Sequence, residues 1–434
     1  MKTKRIFFLL FITLAIFQSA FAQSREPIAV VLTVDGPIMP AMRDYIQRGI
    51  ETAAQRNAEV VVIQLNTPGG QIDTMLEIIT NIRASEIPVV VYVSPKNAIA
   101  GSAGAMITVA GHASAMAPET SIGASSPITS SGEDLNSTAD RKVKEIVKAS
   151  IRPYVTPRGK VALELAEAMV DDAKAVTAEE ALEVKLIDFI ADDTEDLLQH
   201  LNGFTVEMDS SSVTLNTEDI EVQPINIGFI EQLLLLLTDP NIAFILLAVG
   251  VQSVIIEISS PGGWAAGFIG AVCLTLAAYG IGVLPVNWFG GIFLVIAFVL
   301  FVLDIKAPTH GALTASGVAS FIVGALMLFN SPGTPDFQRV SVPLVIGTSI
   351  VIGLLFFAVL MVVLRVRHNP IQTGSESLSG KTGTVQSFEG EAGQVLVDAE
   401  LWSAEKAAGS ESIRKGDKIE VVEVRGLRLI VKKK

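Results

Sequence analysis

The stretch NAIAGSAGAMITVAGHASAMAPETSIGASSP, Asn97 to Pro127, decides the reading of this chain. It sets Ser102 beside Gly101 at the start of a small-residue run of helical character. Upstream, after the apolar run Val60 to Ile63, a glycine turn reads Leu65-Asn66-Thr67-Pro68-Gly69-Gly70. Together they supply what acyl transfer needs: a hydroxyl nucleophile, and backbone N–H groups free to hold an oxyanion. Pro-Gly-Gly after a strand is by itself only a tight turn, because glycine reaches positive φ cheaply. A second copy, Ser260 to Gly263, lies between two apolar runs with no nucleophile helix behind it, and reads as a turn alone.

Around this stretch, strand-like and helix-like runs alternate from residue 28 to 220. Ile28 to Val34, Val60 to Leu65 and Val89 to Val93 are strands of the buried kind. Met39 to Arg56 and Ile72 to Ala84 carry helical spacing, Ser102 to Ala110 is a small-residue helix, and Ala113 to Ala117 is short and apolar. Val161 to Val170 and Ala178 to Leu182 are helical, and Leu186 to Ile190 is a strand. This order implies a mostly parallel sheet covered by helices. Residues 127–139 are small, polar and aperiodic, either a lid over a bound peptide or a plain connector.

Charge and hydropathy divide the rest. Residues 23–241 hold 32 acidic and 15 basic side chains, which argues against nucleic acid as a partner. From Ile242 to Leu364 the only formal charges are Glu257, Asp304, Lys306, Asp336 and Arg339. Five apolar spans fit there: Ile242–Ser259, Ala265–Leu284, Phe289–Leu303, Ala312–Phe329 and Val342–Leu364. Lys2, Lys4 and Arg5, the apolar run Ile6 to Phe17 and then Ala20-Phe21-Ala22 form a secretory signal pattern, cleaved after Ala22. An exported N-terminus and five spans put the C-terminus in the cytoplasm of a cell with the chain in its inner membrane, and Arg365 and Arg367 after the last span agree. The one cysteine, Cys273, excludes an intrachain disulfide. Past a linker at 369–379, five strand-like runs between Gly383 and Val431 suit an OB-type barrel. Its 10 basic and 9 acidic residues do not make a nucleic-acid groove, so a protein-interaction module is expected.

TPGG after a strand, AGSAG some thirty residues on, and then SIGASSP resemble the ClpP-class serine protease fold, and the whole chain resembles the long form of the NfeD family. The resemblance implies a multidomain chain: signal peptide 1–22, an α/β ClpP/crotonase-like protease domain 23–225, an α-helical transmembrane domain 226–368, linker 369–379, and a small all-β OB-fold domain 380–434. It implies Ser102 as nucleophile and the N–H groups of Gly70 and Ala103 as the oxyanion hole. Where ClpP proteases carry their catalytic histidine, this chain has Ser125. His112 is the one histidine near the nucleophile and reads as structural. In the long NfeD proteins a lysine early in a helix serves as base, and Lys142 matches it, with Lys144 and Lys148 as competitors. A lysine there is otherwise a solvated helix face; as a base it must be neutral.

The expected function is a membrane-anchored serine endopeptidase with a Ser-Lys dyad, cleaving apolar segments of membrane-associated proteins. The resemblance adds stomatin/flotillin-type membrane proteins as substrates and partners, and a homo-oligomer of at least two chains. No nucleotide or metal cofactor is implied, since there is neither a Walker motif nor a histidine–carboxylate cluster. Two rivals remain open: a non-catalytic membrane scaffold for the same partners, and a crotonase-type acyl-CoA enzyme, which the export signal disfavours.

Overall fold

The computed structural model describes residues 27–127, 137–209, 211–259, 263–307, 309, 311–331, 334–367 and 375–434. The expected signal peptide, positions 128–136 of the polar stretch, 260–262 of the second glycine turn, His310, His368 and linker positions 369–374 lie outside these residues.

The first part runs β1 (Ile28–Asp35), α1 (Pro40–Arg56), β2 (Val60–Asn66), α2 (Ile72–Arg83), β3 (Val89–Val93), β4 (Ile99–Gly101), α3 (Ala103–Ala110), β5 (Ala113–Met116) and β6 (Ser121–Gly123). It continues through α4 (Ser137–Val155), α5 (Lys160–Asp171), β7 (Ala175–Thr177), α6 (Ala178–Glu183), β8 (Phe189–Ile190), α7 (Thr194–Leu201), β9 (Thr205–Glu207), β10 (Ser212–Thr214) and β11 (Glu221–Ile225). Six strands form one sheet in the order β11-β1-β2-β3-β5-β8, every pair parallel. Both faces are covered, as parallel sheets require. Val30, Leu32, Val61, Ile63, Val89 and Val91 face one core with α1 to α5. Their alternates, Ala29, Val31, Val60, Val62 and Val90, face a second core with Leu197, Leu198 and Leu201 of α7. The residue-by-residue split follows the period of two along a strand. A small side sheet, β4-β6-β7, and the hairpin β9-β10 were not expected from the sequence. Neither was β11, which adds an edge beside β1.

An ion pair closes the far edge. Arg158 holds Asp188 through two bonds of 2.9 Å, and Asp188 accepts the Ser114 N–H at 2.8 Å. Both side chains are mostly buried, so the bidentate geometry is shielded from solvent.

After β11 comes α8 (Phe229–Leu237), then five apolar helices: α9 (Pro240–Ser259), α10 (Ala265–Val283), α11 (Trp288–Lys306), α12 (Ala312–Phe329) and α13 (Val342–Arg367). Among the described residues, α9, α10 and α12 are long and apolar enough to cross a membrane, while the apolar stretches Trp288–Asp304 and Val342–Ala358 are shorter. Helices α9 and α10 pack antiparallel: a Cβ on Gly250 would meet Leu274, one on Gly270 would meet Val254, and one on Gly280 would crowd Ala243. Close backbone approach of this kind replaces the hydrophobic effect inside a bilayer. Asp304, buried at the end of α11, accepts the Thr314 N–H at 3.1 Å and hydroxyl at 2.5 Å, tying off the turn into α12.

The C-terminal part is a closed barrel of β12 (Thr382–Glu389), β13 (Ala392–Val397), β14 (Glu400–Lys406), β15 (Lys418–Arg425) and β16 (Arg428–Lys433), in the order β12-β13-β14-β16-β15. Val385, Val395, Val397, Ile419, Val421, Leu429 and Val431 fill it. Closure leaves no strand edge free. The five strands coincide with the five runs read from the sequence.

Replacing Arg158 by Ala is expected to cost about 2 kcal/mol, roughly 5 °C in apparent Tm. Lys160→Ala, which breaks the exposed Lys160–Glu164 pair, leaves the midpoint unchanged. Equal midpoints for both variants in thermal unfolding of the full chain would contradict this account of the sheet edge.

Candidate active site

Two segments meet at the C-terminal ends of β2 and β3, which are neighbours in the sheet. The turn after β2 is joined to β4 by backbone bonds: Thr67 N–H to Ile99 O at 2.7 Å, and Gly101 N–H to Thr67 O at 2.9 Å. Ser102 then starts α3 with φ 52° and ψ −115°. That conformation is strained for a residue with a side chain, and it persists only when the surroundings hold it. They do so on three sides. The Ser102 N–H donates to Gly123 O at 2.8 Å, its carbonyl accepts the Ser125 hydroxyl at 3.1 Å, and the same carbonyl accepts the Ala105 N–H at 3.1 Å. Ser125, which stands where a ClpP protease has its histidine, therefore braces the elbow from behind.

The glycine turn packs against the serine. A Cβ on Gly69, whose φ is 113°, would lie 2.5 Å from Ser102 Cβ and 3.1 Å from its Oγ. Gly70 is equally constrained, because a Cβ there would overlap the Ile38 carbonyl. Ile38 grips the turn from both ends, its N–H on Gly69 O at 2.8 Å and its carbonyl on the Gln71 N–H at 3.0 Å. The Gly69 N–H is occupied by Thr67 Oγ1 at 3.0 Å. Among the described residues, neither the Gly70 N–H nor the Ala103 N–H has a hydrogen-bond partner. The Ala103 donor is also one of the orphan donors of the first turn of a helix. The structure thus gathers Ser102, Gly70 and Ala103 into one place, with two vacant donors beside a half-buried hydroxyl.

Among the described residues, Lys142 makes no hydrogen bond or ion pair with them. It lies exposed on α4, whose inward face carries Val147, Ile151 and Val155. Its neighbours are committed elsewhere. Lys144 pairs with Asp140 at 3.2 Å and donates to Asp171 O at 3.1 Å. Lys148 is buried and pairs with Glu145 at 2.6 Å and Asp171 at 2.9 Å. Hydrogen bonds to those two carboxylates raise the Lys148 pKa and keep it charged, which makes it a poor base. His112 sits at the start of β3, the opposite end of the sheet from Ser102, as a buried acceptor, its Nδ1 taking the Val89 N–H at 3.0 Å. Burial, and secondarily the Arg83 charge, pull its pKa down to about 4.

Three residues inside the quoted motifs take roles that the sequence did not show: Thr67, whose hydroxyl occupies the Gly69 N–H; Gly123, whose carbonyl holds the Ser102 N–H; and Ser125, whose hydroxyl holds the Ser102 carbonyl. The SIGASSP motif marked the second and third, but only the fold shows that they serve the backbone of Ser102.

These features define a membrane protein whose α/β domain is of the ClpP/crotonase type, followed by apolar helices and an OB-type barrel. The chain belongs to the NfeD family, in its long form. Residues 29–224 match the NfeD1b N-terminal domain, 241–362 the NfeD integral membrane domain, and 375–433 the NfeD-like C-terminal, partner-binding domain. The chain is 34% identical over 414 residues to the membrane-bound protease PH1510 of Pyrococcus horikoshii, spanning 93% of each protein. It is 25% identical over 437 residues to the membrane protein NfeD1b of Bacillus subtilis, spanning 95% of this chain and 94% of that one. A solved mutant of the 1510-N membrane-bound stomatin-specific protease, in complex with a substrate peptide, is 34% identical with a TM-score of 0.45, over 48% of this chain and 96% of that one.

The His112 environment carries a pH signature. Because its folded pKa is depressed, the unfolded chain binds the extra proton between pH 6.5 and 4. Stability from this group is therefore present above pH 6.5 and lost as pH falls toward 4, by on the order of 3 kcal/mol at most. His112→Gln should flatten that loss in thermal unfolding measured across the window. An identical pH dependence in wild type and variant would show that His112 is not buried neutral.

Proposed function

We propose that the chain is a membrane-anchored serine endopeptidase in which Ser102 and Lys142 form the dyad. The observation that carries this reading is the strained Ser102 elbow beside the two vacant N–H donors of Gly70 and Ala103. Ser102 Oγ attacks the peptide carbonyl carbon and Lys142 Nζ takes the hydroxyl proton. The carbonyl oxygen, now negative, is held by the Gly70 and Ala103 N–H groups. Lys142 returns the proton to the leaving amine, and water attacking the acyl-enzyme restores the serine. Lys142 is favoured over Lys144 and Lys148 because both of those are engaged by acidic partners. Catalytic contacts often tighten only in the substrate complex.

Family membership points to stomatin/flotillin-type membrane proteins as substrates and partners, cleaved in apolar segments, and to a homo-oligomer. The C-terminal barrel, matched as partner-binding, would hold such a partner. The domain boundaries are proposed as protease to residue 225, membrane domain to 368 and barrel from 380, with the protease outside the cytoplasm and the barrel within it. The scaffold alternative leaves the strain at Ser102 without a use.

Ser102→Ala should abolish fluorophosphonate labelling and peptide cleavage in a protein that stays folded. Lys142→Ala should reduce cleavage by at least 10³-fold, on the scale of losing a catalytic base, and Lys144→Ala should cleave within about threefold of wild type. Full turnover in Lys142→Ala would remove the dyad while leaving the nucleophile in place. For topology, a periplasm-only reporter fused after Ile225 should be active and the same reporter after Lys434 silent. Activity at both positions would mean an even number of spans and a barrel on the protease side.

A further inference from the structure

The glycine turn is also tied to the membrane helices. Gln71, the residue after Gly70, lies at the N-terminus of α2, and its side chain reaches 212 residues along the chain. Its Nε2 donates to the Val283 carbonyl at 2.7 Å, while its Oε1 accepts from the Thr74 hydroxyl at 3.1 Å. Val283 is the last residue of α10, a candidate membrane span. The last carbonyls of a helix have no donor within it, so Gln71 supplies what α10 cannot.

The junction around this bond is firm. Arg48 of α1 holds Glu231 of α8 through two bonds of 2.7 Å, and the Tyr45 hydroxyl donates to Ile225 O at 2.6 Å. The Gly280 backbone of α10 lies directly against the Leu237 carbonyl that ends α8. The end of α10 is thus fixed relative to α1, and Gln71 is held to a fixed point.

We propose that Gln71 is a positioning residue, through which the end of α10 sets the direction of the Gly70 N–H toward the oxyanion. This rests on the peptidase reading above. Two glycines in succession give the turn little stiffness of its own. The Gly70 N–H has no partner to hold it, so its aim depends on its flanks: Ile38 on both sides, and Gln71 anchored to Val283. An oxyanion donor acts only through accurate placement, and a misplacement of about 1 Å can cost ~100-fold in rate.

The test uses the full chain in lipid vesicles with a fluorogenic peptide. Gln71→Leu, which keeps bulk and removes the donor, should lower kcat about tenfold with KM within about twofold. Gln71→Lys, which restores a donor of sufficient length, should recover most of that loss. Thr74→Val, which unseats the amide without removing it, should lower kcat by a smaller factor, and it decides the matter if Gln71→Leu does not fold. Wild-type kcat in Gln71→Leu or, failing that protein, in Thr74→Val overturns the proposal. So does Gln71→Lys as impaired as Gln71→Leu, since packing rather than the donor would then matter. Wild-type chain without Ser102-dependent turnover instead overturns the peptidase reading itself, and this one with it.

Discussion

The contact between Gly69 and Ser102 is the constraint on which the rest of the site hangs. Two loops must leave the same end of the sheet and touch, and only a parallel sheet with β2 beside β3 brings both there. The touching residue must lack a side chain, because any Cβ on Gly69 falls within 2.5 Å of the serine's own. Once the two loops are joined through Thr67, Ile99 and Gly101, the serine elbow and the vacant donors occupy one small volume. Neither loop alone could build it.

The sheet was legible because its central strands are buried on both faces and read as unbroken β-branched runs, Val60 to Ile63 and Val89 to Val91 being fully inaccessible. The side sheet was not, because its strands are only three residues each, Ile-Ala-Gly, Ser-Ile-Gly and Ala-Val-Thr, too short to show a period. The edge strand β11 was hidden by its exposed, proline-containing sequence Glu-Val-Gln-Pro-Ile. In the site, Ser102 and the glycine pair announced themselves by motif. The braces on Ser102 could not, since Gly123 acts through a carbonyl that any residue possesses. Gln71 gave no signal for the same reason: its partner is a backbone oxygen 212 residues away. Lys142 shows the opposite limit, where a motif position lands on the solvated face that charge patterning alone predicts.

The membrane helices illustrate how composition and packing divide the work. Hydropathy located the five apolar helices, of which α9, α10 and α12 are long and apolar enough to cross a membrane among the described residues. It could not show how they associate, which depends on where glycine allows one backbone onto another. Gly250 and Gly270 seat α9 against α10, and Gly290 and Gly324 seat α11 against α12. The result is a set of antiparallel hairpins. The first of them ends at the Leu237–Gly280 contact, beside the α/β domain.

The positive φ at Ser102 has an evolutionary corollary. At 52° a glycine would sit without penalty, whereas serine carries a strain on the order of 1–3 kcal/mol in every folded molecule. A chain drifting toward a purely architectural role would shed that strain by trading the serine for glycine, less the roughly 0.4–1 kcal/mol that glycine's freedom in the unfolded chain costs. The hydroxyl at this position is therefore carried against the backbone's own preference.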